Sequence, residues 1–468
     1  MAAELLDLSL VGLAAAIRAR RVSAVEAAQA AIAHAEALQP RLNAFIALEA
    51  EAALEQARAA DAALARGDAP GLLHGVPLAH KDMYYRAGRV STCGSKIRRD
   101  FRPDVTATVI ARLERAGAVH LGGLSMSEFA SNPTGHNDHW GDCRNPWNPD
   151  HVTGGSSSGS GAAVAARIVS GALGSDTGGS IRLPAALCGV SGIKPTYGRV
   201  SRYGVMPLSA SMDHVGPLAR SARDCARLLT VLAGHDSLDP TSSRRPVPDY
   251  EAGIEAGVKG LRLGVATGYF AEGVHPEVER AVAAALAVFR GLGATVVPVD
   301  PPDLAAINAF GMVLARAESA AIHGKWLRER PDDYSPLVRE WLEIGLTLPA
   351  TRYVEALNMR GPLLTRFRRE VFGRVDLLLA PTTPMPAPTL AESSAGAPGH
   401  SAIAGALAAL TRPFNYLGLP SLALPCGFST AGLPVSFQLV GRPFAEADLF
   451  RAGHAFQGAT DWHRRAPD

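Results

Sequence analysis

The alternation of short apolar runs with helical segments is the feature that most restricts the fold of this 468-residue chain. From Gly71 onward, runs such as VPLAHKD, AVHLGGL and GALGSDT are separated by stretches of helical periodicity, among them Asp104 to Ala116 and Pro276 to Gly291. This pattern predicts an α/β fold, with a sheet covered by helices. Neither an internal repeat nor a clean linker divides the chain, so we expect one compact unit with a helical central part.

Several elements can be placed from local signals. Ser23 and Glu26 have the spacing of a capping box and begin an alanine-rich helix, and a second such helix covers about Leu48 to Arg66. Glu446 to Gln457 has the pattern of a closing helix. We expect four segments within one domain over residues 1–468: N-terminal helices over 1–66, a core over 71–233, a largely helical lobe over about 245–375, and C-terminal strands and a helix over 376–468.

Composition and charge exclude several classes of protein. Hydrophobic residues make up 47% of the chain and charged residues 19%, which is too apolar for a disordered chain. The formal net charge is +2 and no block of like charge stands out, so we expect no nucleic-acid partner. We find neither a signal peptide nor an uncharged apolar stretch of about 18 residues, so we expect a soluble cytoplasmic protein without a membrane partner.

The cysteine and lysine contents restrict the chemistry further. The five cysteines are scattered and form no CxxC pair, which disfavours a disulfide framework and a zinc site. Only five of the 46 basic residues are lysines. A lysine can lose its proton when it is buried, whereas an arginine cannot. In this arginine-rich chain each lysine is therefore a candidate for a role that needs lysine: Lys81, Lys96, Lys194, Lys259 and Lys325.

The densest motif is the glycine- and serine-rich stretch from Thr153 to Ser180. A flexible linker is disfavoured because the stretch leads into an apolar helical segment. A phosphate-binding loop fails because no lysine follows Gly159 or Gly161. The run GSSSG around Ser157 fits the GxSxG nucleophile elbow, and SGIK, which ends at Lys194, fits SxxK. Both motifs are short, and their companion motifs are not recognisable in this chain.

The segment DTGGS, from Asp176 to Ser180, carries a stronger signal. It follows a predicted strand and precedes a short predicted helix from Ile181 to Leu187. Successive small residues allow backbone N–H groups to converge on one point, and the start of a helix favours negative charge there. A serine in this position would lie beside an oxyanion hole. An ordinary strand–helix turn is the alternative, and these residues alone do not decide between the two.

Taken together, these segments resemble the amidase signature family. The resemblance covers most of the chain and is most specific in the block from Gly174 to Gly204. It implies a single α/β/α domain with a mixed β-sheet covered by helices, and hydrolysis of carboxamides by a serine–serine–lysine triad. The segments that carry it are GVPLAHKD (75–82), NPW (145–147), GGSS (154–157), GSDTGGSIRLPAALCGVSGIKPTYGRVSRYG (174–204), SMDHVGPLARSARD (211–224), APTTP (380–384) and LPCGF (424–428).

The resemblance implies a role for each matching residue. Ser180 would be the nucleophile that forms an acyl-enzyme. Ser156 would be the bridging serine, which in the family follows a cis peptide bond, and Lys81 would be the base. The oxyanion hole would consist of the backbone N–H groups of Thr177, Gly178, Gly179 and Ser180.

The chemistry of the residues is consistent with these roles. Serine is a poor nucleophile until a neighbouring base accepts its proton, and lysine can accept it only when burial lowers the lysine pKa. Side chains alternate along a strand, so we expect His80 and Asp82 to face away from Lys81 and to have structural roles. For Lys194 we also favour a buried structural role.

Other site residues are expected around this triad. Asp176 and Arg182 would brace the oxyanion turn as a pair. In the family, the segment from Met126 to Trp140 lines the acyl pocket, so Ala130 is a candidate for a backbone contact with the substrate. The aromatic residues Phe129 and Trp140 fit the pocket and the core equally well. The resemblance implies no metal and no cofactor, and a small-molecule amide as the partner; a homodimer stays open.

Departures from the family pattern bear on the substrate. Leu183 stands where the A-type chain of the glutamyl-tRNA amidotransferase typically has glutamine. In that chain an arginine and an aspartate bind glutamine, and they align near Leu364 and Ala408 of this sequence. Both positions are apolar here. The charges of a free amino acid would therefore be buried without a partner, which costs free energy. The sequence therefore favours a stand-alone amidase for a less charged amide. An esterase, an A-type chain of the amidotransferase and another partner-dependent amidohydrolase subunit remain as alternatives.

Overall fold

The computed structural model describes residues 2–467 and contains one mixed sheet of eleven strands. The strands lie side by side in the order β1-β3-β2-β4-β6-β5-β10-β11-β9-β7-β8. Their bounds are β1 Phe45–Leu48, β2 Pro77–Lys81, β3 Val119–Leu124, β4 Gly171–Asp176, β5 Ser191–Lys194, β6 His214–Ala219, β7 Arg262–Ala266, β8 Thr295–Val299, β9 Leu377–Pro381, β10 Ser421–Phe428 and β11 Pro434–Val440.

Parallel and antiparallel pairs alternate in blocks across this sheet. Strand β2 runs parallel to β3 and β4, and β7 runs parallel to β8 and β9. The pairs that involve β5, β6, β10 and β11 in the middle of the sheet are antiparallel. The expected α/β fold with a mixed, helix-covered sheet is therefore confirmed.

The sheet is covered by helices over most of the described chain. The helices are α1 Ala2–Asp7, α2 Leu10–Arg18, α3 Ala24–Leu42, α4 Ala50–Arg66, α5 Thr108–Arg115, α6 Ser158–Ala165, α7 Arg182–Cys188, α8 Ala222–Leu232, α9 Pro276–Gly291, α10 Leu304–Glu329, α11 Pro336–Leu346, α12 Ala350–Glu370, α13 Leu390–Ser393, α14 His400–Ala409, α15 Arg412–Tyr416 and α16 Glu446–Gly458.

Local signals predicted several of these helices well. The capping box is present at the start of α3, where the Ser23 side chain accepts from the Glu26 N–H and the Glu26 carboxylate accepts from the Ser23 N–H. Helix α9 has the predicted bounds, because a proline suits the first turn of a helix. Helix α4 begins at Ala50, two residues after the predicted start at Leu48. Short-range hydrogen bonds determine these ends, which is why sequence alone locates them.

The predicted central lobe is not separate from the sheet. Its two strands, β7 and β8, belong to the sheet, and β7 pairs with β9 of the C-terminal segment. The predicted boundary near residue 375 therefore assigns β7 and β9 to different segments, although these two strands are hydrogen-bonded to each other. The division into four segments stays a prediction about domain organisation.

Helix α10 is long and apolar enough to cross a membrane by length and composition alone. Arg316 and Glu318 interrupt its apolar sequence. The helix packs against α11, α12 and α15, and Ile307, Leu314 and Ala320 are buried in these contacts.

Strand β11 joins the apolar core to the site. On one face, Phe437 contacts the rings of Phe289 and Phe456, with the Phe456 centroid at 4.9 Å. On the other face, Ser436 and Gln438 are buried and hydrogen-bonded. Because side chains alternate along a strand, β11 contributes an apolar side chain to the core on one face of the sheet and hydrogen-bonding side chains on the other face.

Phe437→Ala tests the apolar face. We expect the free energy of unfolding to fall by about 3–5 kcal/mol, because the substitution leaves a cavity between fully buried aromatic rings. Leu346→Ala is the control, since Leu346 is 57% exposed and should change the stability by less than about 0.5 kcal/mol. Denaturant unfolding followed by circular dichroism measures both, and equal losses would contradict this account of the core.

Candidate active site

Lys81 is the last residue of β2 and its side chain is fully buried. Strand β2 lies between β3 and β4, and all five of its residues are buried. The Lys81 Nζ lies 2.7 Å from Ser156 Oγ and 2.9 Å from Ser175 Oγ, and it donates hydrogen bonds to both. Lys81 and Ser156 were expected in one site from the sequence, whereas Ser175 was not, although Ser175 lies inside the glycine- and serine-rich stretch that ends in GSDTGGS.

Burial changes the protonation of Lys81. Removal from water lowers its pKa to about 7, although the charges of Asp176 and Asp213 oppose the shift. Desolvation disfavours the charged form of an amine. A large fraction of Lys81 is therefore neutral near pH 7, and a neutral amine can accept a proton from a hydroxyl that it contacts.

Ser156 follows two glycines in a tightly packed turn. The peptide bond between Gly155 and Ser156 is cis, as the family resemblance implies. A Cβ on Gly155 would lie 2.3 Å from the carbonyl oxygen of Asn132 and 2.7 Å from the nitrogen of Gly135. The chain therefore needs glycine at this position. Two residues after Ser156, helix α6 begins at Ser158.

The turn from Asp176 to Ser180 is held from within by the Asp176 carboxylate. This carboxylate accepts hydrogen bonds from the N–H groups of Gly179 at 2.8 Å and Ile181 at 3.2 Å. In residues 2–467, the N–H groups of Thr177, Gly178 and Ser180 have no acceptor. Of the four N–H groups expected to form the oxyanion hole, that of Gly179 is therefore already engaged.

Asp176 and Arg182 form a fully buried ion pair with an N–O distance of 3.0 Å. Burial raises the pKa of Asp176, but the Arg182 guanidinium outweighs burial and holds that pKa well below its usual range. Arg182 also donates to Gln438 at 3.0 Å and to Asn415 at 2.7 Å. Every charge in this pair is hydrogen-bonded, which is the condition for burying it.

Ser180 lies just before α7 and lines a cavity of about 300 Å³. Its side chain makes no hydrogen bond within the described chain, to Ser156 or to any other residue. In the absence of substrate such contacts are commonly long. The wall of the cavity thus has a serine hydroxyl and the unengaged N–H groups of the turn that carries it. This arrangement suits nucleophilic attack on a carbonyl group.

The two aromatic candidates do not line this cavity. Phe129 stacks on Trp326 with ring centroids 5.6 Å apart and meets the edge of His323 at 4.4 Å. Trp140 lies under the Arg99 guanidinium and is held by backbone hydrogen bonds. Both pack against other side chains outside this cavity, so their role as substrate-binding residues stays a prediction that the cavity lining does not support. Ala130 does line the cavity.

The other walls come from segments far along the chain, which the sequence analysis missed. Helices α10, α11, α14 and α15 contribute cavity residues that include Arg316, Trp341, His400 and Arg412. No local motif marks these positions. Their periodicity is that of ordinary amphipathic helices, and only the packing of α10 to α15 brings them to Ser180.

The flanking candidates have structural partners. His80 contacts the edges of the Tyr84 and His120 rings, and burial lowers its pKa to about 3. Asp82 accepts from both the N–H and the hydroxyl of Thr92. Lys194 donates to the carbonyl oxygens of Pro195 and Leu419. These contacts agree with the structural roles expected from the sequence.

Comparison with known proteins points to the same chemistry. The chain is 44% identical over 472 residues to the A-type chain of the glutamyl-tRNA(Gln) amidotransferase of Moorella thermoacetica, covering 96% of both chains. It also matches a chain from a vestigial protein complex linked to the origins of an s-triazine catabolic enzyme, with 36% identity, a TM-score of 0.90, and 96% and 98% coverage. A bacterial aryl acylamidase of the amidase signature enzymes has 28% identity, a TM-score of 0.88, and 97% coverage of each chain.

These relatives correct one expectation. The expectation of a small-molecule partner and no nucleic acid is wrong, because relatives that are 42% and 44% identical over most of the chain are subunits of an enzyme named for a tRNA. A net charge of +2 disfavours strong direct binding of a polyanion by this chain. It does not exclude membership in an assembly that acts on tRNA.

The family assignment rests on most of the chain. A family model described as Amidase matches residues 26–450, which include every candidate catalytic residue. The sheet order, the buried lysine–serine contact and the high structural similarity agree with this match. The chain is an enzyme and belongs to the amidase signature family, whose members cleave amide C–N bonds.

Proposed function

We propose that this chain hydrolyses a carboxamide through an acyl-enzyme on Ser180, with Ser156 as proton relay and Lys81 as base. The observation that carries the proposal is the 2.7 Å contact between Lys81 Nζ and Ser156 Oγ. It joins a serine hydroxyl to a lysine whose burial lowers its pKa to about 7. A surface lysine would remain protonated at this pH and could not accept a proton.

In the acylation half of the reaction, Ser180 Oγ attacks the amide carbonyl carbon. The Ser180 proton passes to Ser156 Oγ, and the Ser156 proton passes to Lys81 Nζ. The carbonyl oxygen becomes an oxyanion, which accepts hydrogen bonds from the free N–H groups of Thr177, Gly178 and Ser180. The proton then returns through Ser156 to the leaving nitrogen, the C–N bond breaks, and ammonia or an amine departs.

Deacylation repeats these transfers with water. A water molecule gives a proton to the relay and its oxygen attacks the ester carbonyl of the acylated Ser180. The second oxyanion collapses, the C–O bond to Ser180 breaks, and the serine regains its proton. The carboxylic acid leaves. Because the fixed N–H groups need no reorientation in either half, they stabilise both oxyanions at little cost.

For the biological context we propose the A-type chain of a tRNA amidotransferase rather than a stand-alone amidase. Identity of 44% over 96% of the M. thermoacetica relative supports this. The apolar residues Leu364 and Ala408 offer no charged partner for glutamine, which by itself disfavours such a chain. Ala408 lines the cavity, but Leu364 packs in an apolar cluster, while Arg316 and Arg412 do line the cavity. The cavity therefore contains cations that the sequence comparison missed.

A cytoplasmic location is part of this proposal. All five cysteines lie in the described chain as free, buried thiols. Such a pattern fits a reducing compartment, where disulfides are rare.

Ser180→Ala tests the nucleophile. We expect ammonia release to fall by about 10⁴–10⁶-fold, the usual cost of removing a catalytic serine. Ser157→Ala is the matched control, because Ser157 is the serine of the GxSxG motif and is bonded to Ser175 rather than exposed in the cavity. An enzymatic ammonia assay measures both. If Ser157→Ala were inactive and Ser180→Ala active, Ser180 would not be the nucleophile.

The pH dependence tests the base. Below its pKa Lys81 is protonated and cannot accept a proton, so kcat/KM should rise by about tenfold per pH unit up to about pH 7 and then level off. Lys81→Met should lower kcat by about 10²–10⁴-fold, whereas Lys259→Met, at an exposed position, should not. A flat profile from acid to alkaline pH would rule out lysine as the base.

Replacement of the A-type chain in a known enzyme tests the biological context. We expect a reconstituted glutamyl-tRNA(Gln) amidotransferase in which this chain replaces the A-type chain to convert Glu-tRNA(Gln) to Gln-tRNA(Gln) with glutamine as the ammonia donor. The Ser180→Ala chain should support no conversion from glutamine. Ser180-dependent ammonia release without any conversion of the tRNA would indicate a stand-alone amidase instead.

A further inference from the structure

The peptide bond between Gly178 and Gly179, in the turn before Ser180, is held at both ends by side chains. At one end, the N–H of Gly179 donates to the Asp176 carboxylate at 2.8 Å. At the other end, the carbonyl oxygen of Gly178 accepts a hydrogen bond from Thr411 Oγ1 at 2.6 Å. No backbone N–H of residues 2–467 donates to this carbonyl oxygen. Because a peptide bond is planar, these two hydrogen bonds together fix the orientation of the whole Gly178–Gly179 unit.

Thr411 belongs to the part of the chain that forms the opposite wall of the cavity. It lies between α14 and α15, it is fully buried, and its neighbours Ala408 and Arg412 line the cavity. Its hydroxyl also lies 3.2 Å from the carbonyl oxygen of Ala408, which is a longer contact than the one to Gly178. One hydroxyl therefore joins the cavity wall to a turn that lies 233 residues earlier in the chain.

The turn needs this external partner because its backbone is intrinsically free. Glycine has the widest choice of backbone conformations, and two glycines follow each other here. Gly179 has a φ of +139°, which L side chains rarely adopt. A Cβ on Gly179 would also clash with Thr411 Oγ1. Glycine at this position therefore permits the close approach of Thr411, and the hydrogen bond from Thr411 restricts the freedom that the glycines introduce.

The orientation of this peptide unit determines where the neighbouring N–H groups point. The N–H groups of Gly178 and Ser180 flank the unit, and neither has an acceptor within the described chain. Thr177, at the start of the turn, is held separately, because its Oγ1 donates to Asp213 at 2.5 Å. N–H groups stabilise an oxyanion most effectively when they are directed, before the reaction, toward the position where the negative charge develops.

We propose that Thr411 is a positioning residue for the oxyanion hole. Its hydroxyl holds the carbonyl oxygen of Gly178 and thereby directs the N–H groups of Gly178 and Ser180 toward the reacting carbonyl group. The inference rests on the proposed amide hydrolysis at Ser180 and adds to it a residue from the cavity wall. Because this contribution matters only when an oxyanion forms, loss of the hydroxyl should lower kcat and leave KM unchanged.

Thr411→Val tests the hydroxyl, since valine keeps the branched shape of threonine. In ammonia release from glutamine, we expect kcat to fall by about 10- to 100-fold at constant KM, because loss of a whole oxyanion donor costs about 10²–10³-fold and misdirection costs less. Thr411→Ser keeps the hydroxyl and should restore most of the activity. Thr230→Val is the matched control, because Thr230 Oγ1 donates to the carbonyl oxygen of Ala226 at 3.0 Å within α8, away from the cavity.

A second measurement does not depend on the identity of the substrate. Phenylmethanesulfonyl fluoride labels an activated serine: Ser180 Oγ forms a bond to sulfur, the S–F bond breaks, fluoride leaves with the electron pair, and the serine proton passes through Ser156 to Lys81. The same N–H groups would stabilise the negative charge that develops on the sulfonyl oxygens. Mass spectrometry of the Ser180 peptide gives the labelling rate, which Thr411→Val should lower by about tenfold or more. Thr411→Ser and Thr230→Val should leave this rate close to that of the wild-type chain.

The outcomes separate this inference from the proposed function. Thermal melting identifies the folded variants, and Thr411→Ala replaces Thr411→Val if the latter unfolds. The positioning role would be overturned by a folded variant with the kcat and labelling rate of the wild type, by a rise in KM that equals the loss in kcat, or by a loss that Thr411→Ser does not restore. Absence of label on Ser180 of the wild-type chain would instead overturn the proposed mechanism.

Discussion

The buried ion pair between Asp176 and Arg182 is the interaction on which the rest of the site depends. Its carboxylate holds the turn before Ser180 by accepting backbone N–H groups, and its guanidinium reaches Asn415 of α15 and Gln438 of β11. The turn between β4 and α7 thus meets α15 and β11, which lie 233 and 256 residues further along the chain from Arg182, at one pair of charges. Removing either charge would leave the other buried and unpaired, at a cost of about 3–5 kcal/mol, so the geometry of the turn and the stability of the fold are coupled.

Burial is combined with opposite changes in charge at two neighbouring groups, Asp176 and Lys81. The same dry interior that requires Asp176 to have a permanent partner lowers the pKa of Lys81 to about 7. Within the described chain, Lys81 contacts only hydroxyl groups at close range, from Ser156 and Ser175, so nothing nearby stabilises its charged form by direct pairing. The acids that raise its pKa, Asp176 and Asp213, are themselves engaged by Arg182 and Thr177. The network therefore keeps one group charged and lets the other titrate.

The site combines two parts of different origin. The candidate reacting groups come from β2, the turn before α6 and the turn before α7, all in the first two fifths of the chain. The cavity walls that face them come from α10 to α15, in the last third. This division explains how relatives as different as an aryl acylamidase and a tRNA amidotransferase subunit can have similar folds. In such a fold the residues of the cavity walls determine which substrate binds, and the residues of β2 and the two turns determine which reaction follows.

The sequence by itself determined the fold class, the start of α3, the bounds of α9 and a set of candidate catalytic residues. The helix ends follow from short-range physics, namely the capping box at Ser23 and the periodicity and first-turn proline of α9, whereas the roles of the candidate residues are what the family resemblance implies. Only the tertiary structure decided that Gly179 N–H is engaged by Asp176, that Phe129 and Trp140 lie outside the cavity, and that Arg316 and Arg412 line it. The reason is that a contact between residues far apart in the chain depends on how whole helices pack against the sheet, and no local pattern of side chains encodes that packing.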